Sequence, residues 1–333
     1  MNNRILSILI VVAIIIIGGV WYVKSQKPME QQAAAPAAST TTAPATTTTT
    51  APAATTTTTG QTAAPAASTT MQAAAPAASA AAPAGALGAM AGKTVTVATE
   101  GAYPPFNFVG SDGSLQGFDV DVANALCEKM QAKCTVVKQD WDGMIPGLLA
   151  KKFDAIIASM SITAERKQKI DFSDKYYNTP AVLVAKSDAA IKLGADGNPD
   201  PESLKGLKIG VQRATIHENF ARAHFPGAEI SVYDTADNAN LDLTSGRIDV
   251  RMDDILVLQD QVVKPNGDKY KIFGKGYVGG ELGEGVGVGV RKEDQDLRNA
   301  FSAAIKEIRN DGTYKKLNDK YFTFDVYGPE SGS

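Results

Sequence analysis

Ser159, Ser161, Thr163 and Arg166 place three hydroxyls and a guanidinium on one short stretch, within Asp154–Ile170 (DAIIASMSITAERKQKI). A planar guanidinium grips a carboxylate through two parallel hydrogen bonds, and nearby hydroxyls add donors. The element that must position them is a short apolar strand, Ala155–Ala158. It turns through Ser-Met-Ser-Ile-Thr into a helix whose first turn carries Glu165 and Arg166. The first N–H groups of such a helix have no intrahelical acceptor and favour an anion. A free amino acid or similar small acid suits this corner. A capped helix start with a solvated Arg-Lys-Gln-Lys face accounts for the same residues without a ligand.

The flanking sequence alternates strand and helix patterns. Lys93–Glu100 reads as a strand with Val95 and Val97 on one face, followed by Gly-Ala-Tyr-Pro-Pro-Phe. Pro104 biases Tyr103 towards an extended backbone, which sets where its ring points. A helix starts near Phe118, with an apolar stripe of Phe118, Val122, Leu126 and Met130. Asp119 and Asp121, in its first turn, read as compensating the helix dipole rather than as a catalytic or metal pair. A strand at Cys134–Val137 and a helix from Asp140 or Trp141 to Lys152 complete the first set. A second set starts near Leu207, with strands Lys208–Gln212, Glu229–Tyr233, Ile248–Met252 and Tyr270–Phe273. Its helices are His217–His224, Asn238–Arg247 and Ile255–Lys264, and the polar loop Asp188–Pro201 separates the two sets. Such alternation predicts an α/β fold with mostly parallel sheets.

Gly283–Val290 (GEGVGVGV) lacks the spacing of a phosphate loop, and predicts a strand with its valines on one face and another backbone against its glycines. Helices Gln295–Asn310, with Leu297, Phe301, Ile305 and Ile308 inward, and Thr313–Tyr321 close the chain. Glu100, Ser159, Ser161, Thr215 and Asp254 all fall at or beyond the C-terminal ends of the expected strands, where open α/β sheets bind ligands. These ends belong to both sets, so a cleft supplied from two sides is expected. Each residue also has an ordinary role open to it: a helix cap for Asp254, solvent for Glu100, core for Tyr103, a surface-packed ring for Trp141.

The N-terminus is different in kind. Ile5–Val23 carries no charge, and as a helix would extend roughly 28 Å, enough for a bilayer core. A signal peptide usually has a shorter apolar region before its cleavage site. Here Trp21 and Tyr22 mark an interface and Lys24 and Lys27 follow, so an uncleaved anchor is expected over a signal peptide. From Gln31 to Gly92 the chain is almost wholly Ala, Pro and Thr, a composition expected to form an extended tether. Residues 93–333 then carry a net charge of −5, with no basic patch for nucleic acid. Cys127 and Cys134 are the only cysteines, and the two histidines, His217 and His224, are far from them in sequence. A disulfide between a helix end and the next strand, buried thiols, or a metal are the alternatives; the first would place this portion outside the cytoplasm.

GFDVDVANALCEKM, WDGMIPGLLAKKFDAI, SMSITAERKQKIDFSDKYY, ESLKG, DLTSGRID, GVGVRKED and DGTYKKLNDKYFTFDVYG occur in that order. In these stretches Lys93–Gly328 resembles the extracytoplasmic polar-amino-acid-binding proteins of ABC importers, solute-binding family 3, and most of all the histidine and lysine/arginine/ornithine binders. The resemblance implies a two-lobed periplasmic-binding-protein fold of type II. One lobe would comprise 93–183 and 284–328 and the other 184–283, joined by two hinge strands. Residues 1–27 would be the anchor or signal, 28–92 the linker and 329–333 a tail. It also implies roles. Arg166 would hold the ligand's α-carboxylate, helped by Ser161 and by N–H groups and hydroxyl near Thr215 and Ile216. Asp254 and Ser159 would hold the α-ammonium, Tyr103 and Trp141 would sandwich the side chain, and Glu100 would meet a distal cation. The family's disulfide maps onto Cys127 and Cys134.

Several positions depart from those binders. Glu100 stands where they have Asp, Ala158 where they have Ser, Trp141 where they have Leu or Phe. Gln212, Arg213, Ile216 and His217 also differ. Charge reasoning agrees with a cationic guest: Arg166 and Asp254 match a zwitterion, and Glu100 is then a surplus carboxylate that a charged side chain would neutralise. A guanidinium between two aromatic faces gains about 0.5–2 kcal/mol per face. The expected function is therefore a non-enzymatic extracytoplasmic receptor, monomeric and without metal or cofactor. It captures arginine, or else lysine, ornithine or histidine, for an ABC permease. An opine, a ligand-presenting sensory module and a dehydratase-like enzyme using Glu100 and His217 are the rival readings.

Overall fold

The computed structural model describes residues 85–328, and the expected anchor (Ile5–Val23), most of the linker and the tail lie outside them. Thirteen strands form two five-stranded sheets and a small three-stranded one. The first sheet has the order β5-β1-β6-β13-β7, with β1 Thr94–Thr99, β5 Lys133–Lys138, β6 Ala155–Ile156, β7 Asp171–Tyr177 and β13 Val286–Val290. The second has the order β10-β9-β11-β8-β12, with β8 Ala181–Lys186, β9 Lys208–Gln212, β10 Glu229–Tyr233, β11 Val250–Asp254 and β12 Tyr270–Tyr277. Strands β2 (Ala102–Tyr103), β3 (Asn107–Val109) and β4 (Leu115–Gln116) form the small antiparallel sheet after β1.

The two large sheets are mixed, not mostly parallel. β1 runs parallel to β5 and β6, and β9 parallel to β10 and β11. β13 is antiparallel to β6 and β7, and β8 to β11 and β12. The reason is connectivity: the chain leaves the first sheet after β7, enters the second at β8, and returns from β12 to β13. Each crossing sends a strand back against its neighbours. The first crossing uses 178–180, so β8 belongs wholly to the second sheet, three residues before the expected boundary at 183.

Both expected helical stripes are buried. Phe118, Val122, Leu126 and Met130 of helix Phe118–Lys129 meet Leu297, Phe301, Ile305 and Ile308 of helix Gln295–Asn310 in one core cluster under the first sheet. The second sheet has its own core around Leu183, Ile209, Val211, Val250 and Met252. A Cβ on Gly287 would lie 2.8 Å from Ile162 Cδ1 and 3.3 Å from the Ser173 carbonyl oxygen, so alternate glycines of β13 let neighbouring chain approach. Cys127 and Cys134 are disulfide-bonded, tying the end of helix Phe118–Lys129 to β5. Among the described residues no helix is long and apolar enough to cross a membrane.

Asp119 corrects its sequence reading. Its side chain is fully buried and accepts from Asn107 Nδ2 (2.8 Å), Ser159 Oγ (2.9 Å) and the Tyr176 hydroxyl (2.8 Å). Burial pushes its pKa up, and the three donors oppose that shift. Asp121, two residues on, sits at the surface with Lys320 and the Tyr321 hydroxyl.

Candidate functional site

The C-terminal ends of β1, β6, β9 and β11 open onto one cavity between the two large sheets. Glu100 follows β1, Ser159 and Ser161 follow β6, Thr215 follows β9, and Asp254 ends β11. Tyr103 from β2, Trp141 and Arg166 join them, so all eight expected residues line this cavity. Parallel strands place their C-terminal ends together, and loops leaving those ends can carry polar groups without interrupting the sheet.

Arg166 starts from the corner read in the sequence. Thr163 caps helix Ala164–Lys167, its Oγ1 accepting from the Arg166 N–H at 3.2 Å. The guanidinium is buried, donates through Nη1 to the Ser161 carbonyl at 2.9 Å, and lies 5.3 Å from the centre of the Trp141 ring. Among the described residues no carboxylate pairs with it, and its remaining N–H groups are open to the cavity. Burial lowers its pKa to about 10, so it stays charged at neutral pH.

Two carboxylates on the far walls are in the opposite condition. Burial raises Glu100 to about 7, although the Gln212 side chain donates to its Oε1 at 2.6 Å. Burial likewise raises Asp254 to about 7, against hydrogen bonds from the Thr179 hydroxyl and from the Leu256 N–H at 2.8 Å. Asp254 thus caps helix Ile255–Leu258 and lines the cavity at once.

The hydroxyls divide by what their protons are doing. Ser159, held at φ +56°, donates to Asp119, which leaves its lone pairs for an N–H donor. The Ser161 hydroxyl has no partner among the described residues. The Thr215 Oγ1 donates to the Gln212 carbonyl at 2.7 Å while accepting from the Glu218 N–H at 3.2 Å. Its only hydroxyl proton is therefore engaged, which leaves the first backbone N–H groups of helix Ile216–His224, also among the expected donors, at this end of the cavity.

Asp253, Gln212 and His217 also line the cavity, outside the expected ligand-binding set; His217 is expected to act only in the dehydratase-like reading. Asp253 accepts from the Tyr103 hydroxyl at 2.5 Å, contacts His217 Nδ1 at 3.3 Å, and pairs with Arg251, which is completely buried. Burial pushes its pKa up, but Arg251, His217 and the Tyr103 hydroxyl together hold it below its ordinary value. Burial pushes the His217 pKa down, against the pull of Asp253. The sequence signal was Arg251 and Asp253 two apart within an apolar strand, which puts both on one face where only a pair is tolerated. Gln212 gives no such signal, since its partner is 112 residues away. Among the described residues no group of His, Cys, Asp or Glu is arranged to hold a metal.

The profile of bacterial extracellular solute-binding proteins, family 3, matches residues 95–324. The L-arginine-binding protein of Pseudomonas aeruginosa is 45% identical over 247 residues, covering 72% of this chain and 91% of that protein. The histidine-binding periplasmic protein of Escherichia coli K12 is 42% identical over 240 residues, covering 71% and 90%. Among solved structures, a Salmonella typhimurium periplasmic binding protein described for high arginine specificity superimposes with a TM-score of 0.63. It is 32% identical and covers 69% of this chain and 100% of its own. The match across both sheets and the cavity between them shows that the chain belongs to family 3 of the bacterial extracellular solute-binding proteins.

Proposed function

We propose that this protein is an extracytoplasmic receptor that binds a basic amino acid, arginine before lysine, ornithine or histidine, and delivers it to an ABC importer. The two large sheets would head two lobes that close on the ligand, hinged where the chain crosses between them. The N-terminal apolar segment would tether the receptor to the membrane through the Ala/Pro/Thr-rich linker.

The observation that carries this reading is the charge left unmatched in the cavity. Arg251 matches Asp253, which leaves Arg166 without a counter-ion and Asp254 and Glu100 each raised by burial. Burying charges without partners is unfavourable, so the best guest is the one that completes them. One anion and two cations are needed. An amino acid with a cationic side chain brings that set: its carboxylate to Arg166 and Ser161, its ammonium to Asp254 and Ser159, its distal cation to Glu100. Tyr103 and Trp141 supply aromatic faces for the side chain between them. Arginine-binding and histidine-binding relatives at 45% and 42% identity support the same class.

Isothermal titration of the purified protein with the twenty amino acids and ornithine tests this. Arginine should bind most tightly and neutral amino acids at least tenfold more weakly. A neutral amino acid outranking arginine defeats the cationic assignment.

A further inference from the structure

We propose that Gln212 reads the ligand's distal group together with Glu100, and selects a guanidinium over an ammonium. The inference rests on the binding reading above and adds a specificity-determining residue to it. Gln212 ends β9 on the second sheet, opposite Glu100 at the end of β1 on the first. Its side chain is 3% exposed, and its Nε2 donates to Glu100 Oε1 at 2.6 Å and to the Asp234 carbonyl at 3.1 Å. The Asp234 carbonyl is an acceptor with no proton to give, so the amide has one sensible orientation, with its nitrogen on that side and its oxygen facing away.

Two oxygens follow from that arrangement. Glu100 Oε2 and Gln212 Oε1 have no hydrogen-bond partner among the described residues, yet neither is sealed from open space, and both residues line the cavity. The bond between the two side chains already engages one Glu100 oxygen, so the acceptor that carboxylate leaves without a partner is Oε2. A ligand then meets one carboxylate oxygen and one amide oxygen on adjoining groups. A guanidinium serves two separate acceptors with coplanar N–H groups along one edge while its faces lie against Tyr103 and Trp141. An ammonium is a compact, strongly hydrated point charge with no face to stack, and gains less from a second acceptor.

Titration of the unaltered protein and of Gln212→Met with arginine and lysine decides the matter. Methionine keeps the length and volume of the side chain and removes the amide. The unaltered protein should favour arginine over lysine by at least tenfold. Gln212→Met should lose at least tenfold in arginine affinity, the scale of one hydrogen bond to a charged group. Its lysine affinity should change less than threefold, so the preference collapses. A merely structural role would weaken both ligands equally and leave their ratio unchanged, which overturns the inference while basic amino-acid binding stands. If Gln212→Met does not fold, the unaltered protein still decides: equal affinity for arginine and lysine overturns the assignment. Absence of any arginine binding to the unaltered protein sinks the functional reading itself.

Discussion

The Tyr103 hydroxyl donates a 2.5 Å hydrogen bond to Asp253 Oδ1, joining β2, beside the first sheet, to β11 of the second across 150 residues of sequence. Hydrogen bonds of this length to an ionised acceptor are among the strong ones. Three further links cross the same gap, Gln212 to Glu100, the Trp141 Nε1 to the Ala214 carbonyl at 3.2 Å, and Asn219 Nδ2 to Glu165 Oε2 at 3.4 Å. Protein groups alone therefore contribute to holding the cavity shut. Tyr103→Phe keeps the ring and deletes the donor, while Asp253 retains Arg251 and the Asp254 N–H. Arginine should dissociate about tenfold faster from this variant, read by stopped-flow fluorescence. An unchanged dissociation rate argues against a latch. Asp253→Asn should be worse for the fold itself, because Arg251 is left buried without its counter-charge, at about 3–5 kcal/mol.

Arg166 sets up an opposition between stability and function. Its guanidinium is buried beside the Ser161 carbonyl with no carboxylate partner among the described residues. Arg166→Met retains most of the apolar stem and removes the unpaired charge. The ligand-free variant should melt at the same temperature as the parent or higher, by calorimetry, and bind every amino acid at least a hundredfold more weakly. Arg166→Lys should recover little of that affinity, since a single ammonium cannot reproduce the two-pronged grip. Selective loss of one ligand class from Arg166→Met would show that this side chain does not hold the shared α-carboxylate.

Glu100 and Asp254 make binding depend on pH in a stated direction. Burial raises both to about 7 in the ligand-free protein, from ordinary values of 4.5 and 3.8. A carboxylate raised on folding makes the folded state bind the proton more tightly, so ligand-free stability falls as pH climbs from about 4 to about 7. For Glu100 alone the effect is roughly 3 kcal/mol. A bound cation favours the ionised form and lowers these pKa values, so arginine must displace protons below pH 7. Its affinity should rise at least tenfold between pH 5.5 and 7.5 and level off above. Titrations in buffers of different ionisation enthalpy should show protons released on binding. In Glu100→Gln the rise should be smaller, leaving the part due to Asp254. Arginine affinity that is flat across this window would place the cation away from both carboxylates.

The sequence was most informative where local periodicity and burial agree. Val122 and Leu126, and Phe301 and Ile305, declared their helices because one face of each is buried and the other is not. Glu100, Thr215 and Asp254 could be placed because strand ends are marked by a change from apolar runs to polar residues. Strand β8 gave no such contrast: Ala181 through Ala185 are all buried, so the run has neither a strand's alternation nor a helix's stripe. With β8 unread, the crossing came only from the family resemblance, and the antiparallel neighbours that follow from it were hidden. Asp119 and Gln212 failed for another reason. Each is defined by partners far along the chain, and a first-turn aspartate or a strand-end glutamine looks the same whether solvated or buried.

Asp119 gives the sharpest contrast with Glu100 because it acts on the ligand only through another residue. It takes hydrogen bonds from Asn107, Ser159 and Tyr176, and Asn107 in turn accepts from the Gly101 N–H at 2.8 Å, next to Glu100. Asp119→Ala leaves the buried Asn107 and Tyr176 donors without that acceptor, and at about 1–3 kcal/mol for each such group the fold should lose at least about 2 kcal/mol in urea denaturation. The Ser159 hydroxyl, freed from Asp119, can turn its proton into the cavity and so present a donor where the ammonium needs a lone pair. Affinity should then fall for arginine and for neutral amino acids by the same factor, because the α-ammonium is common to both, whereas Glu100→Gln should penalise arginine alone. Asp119→Asn keeps one acceptor oxygen and should give an intermediate loss on both measures. A fully stable Asp119→Ala protein with unaltered affinity would mean that Ser159 keeps its orientation unaided, and that the buried carboxylate neither supports the first sheet nor orients the ammonium site.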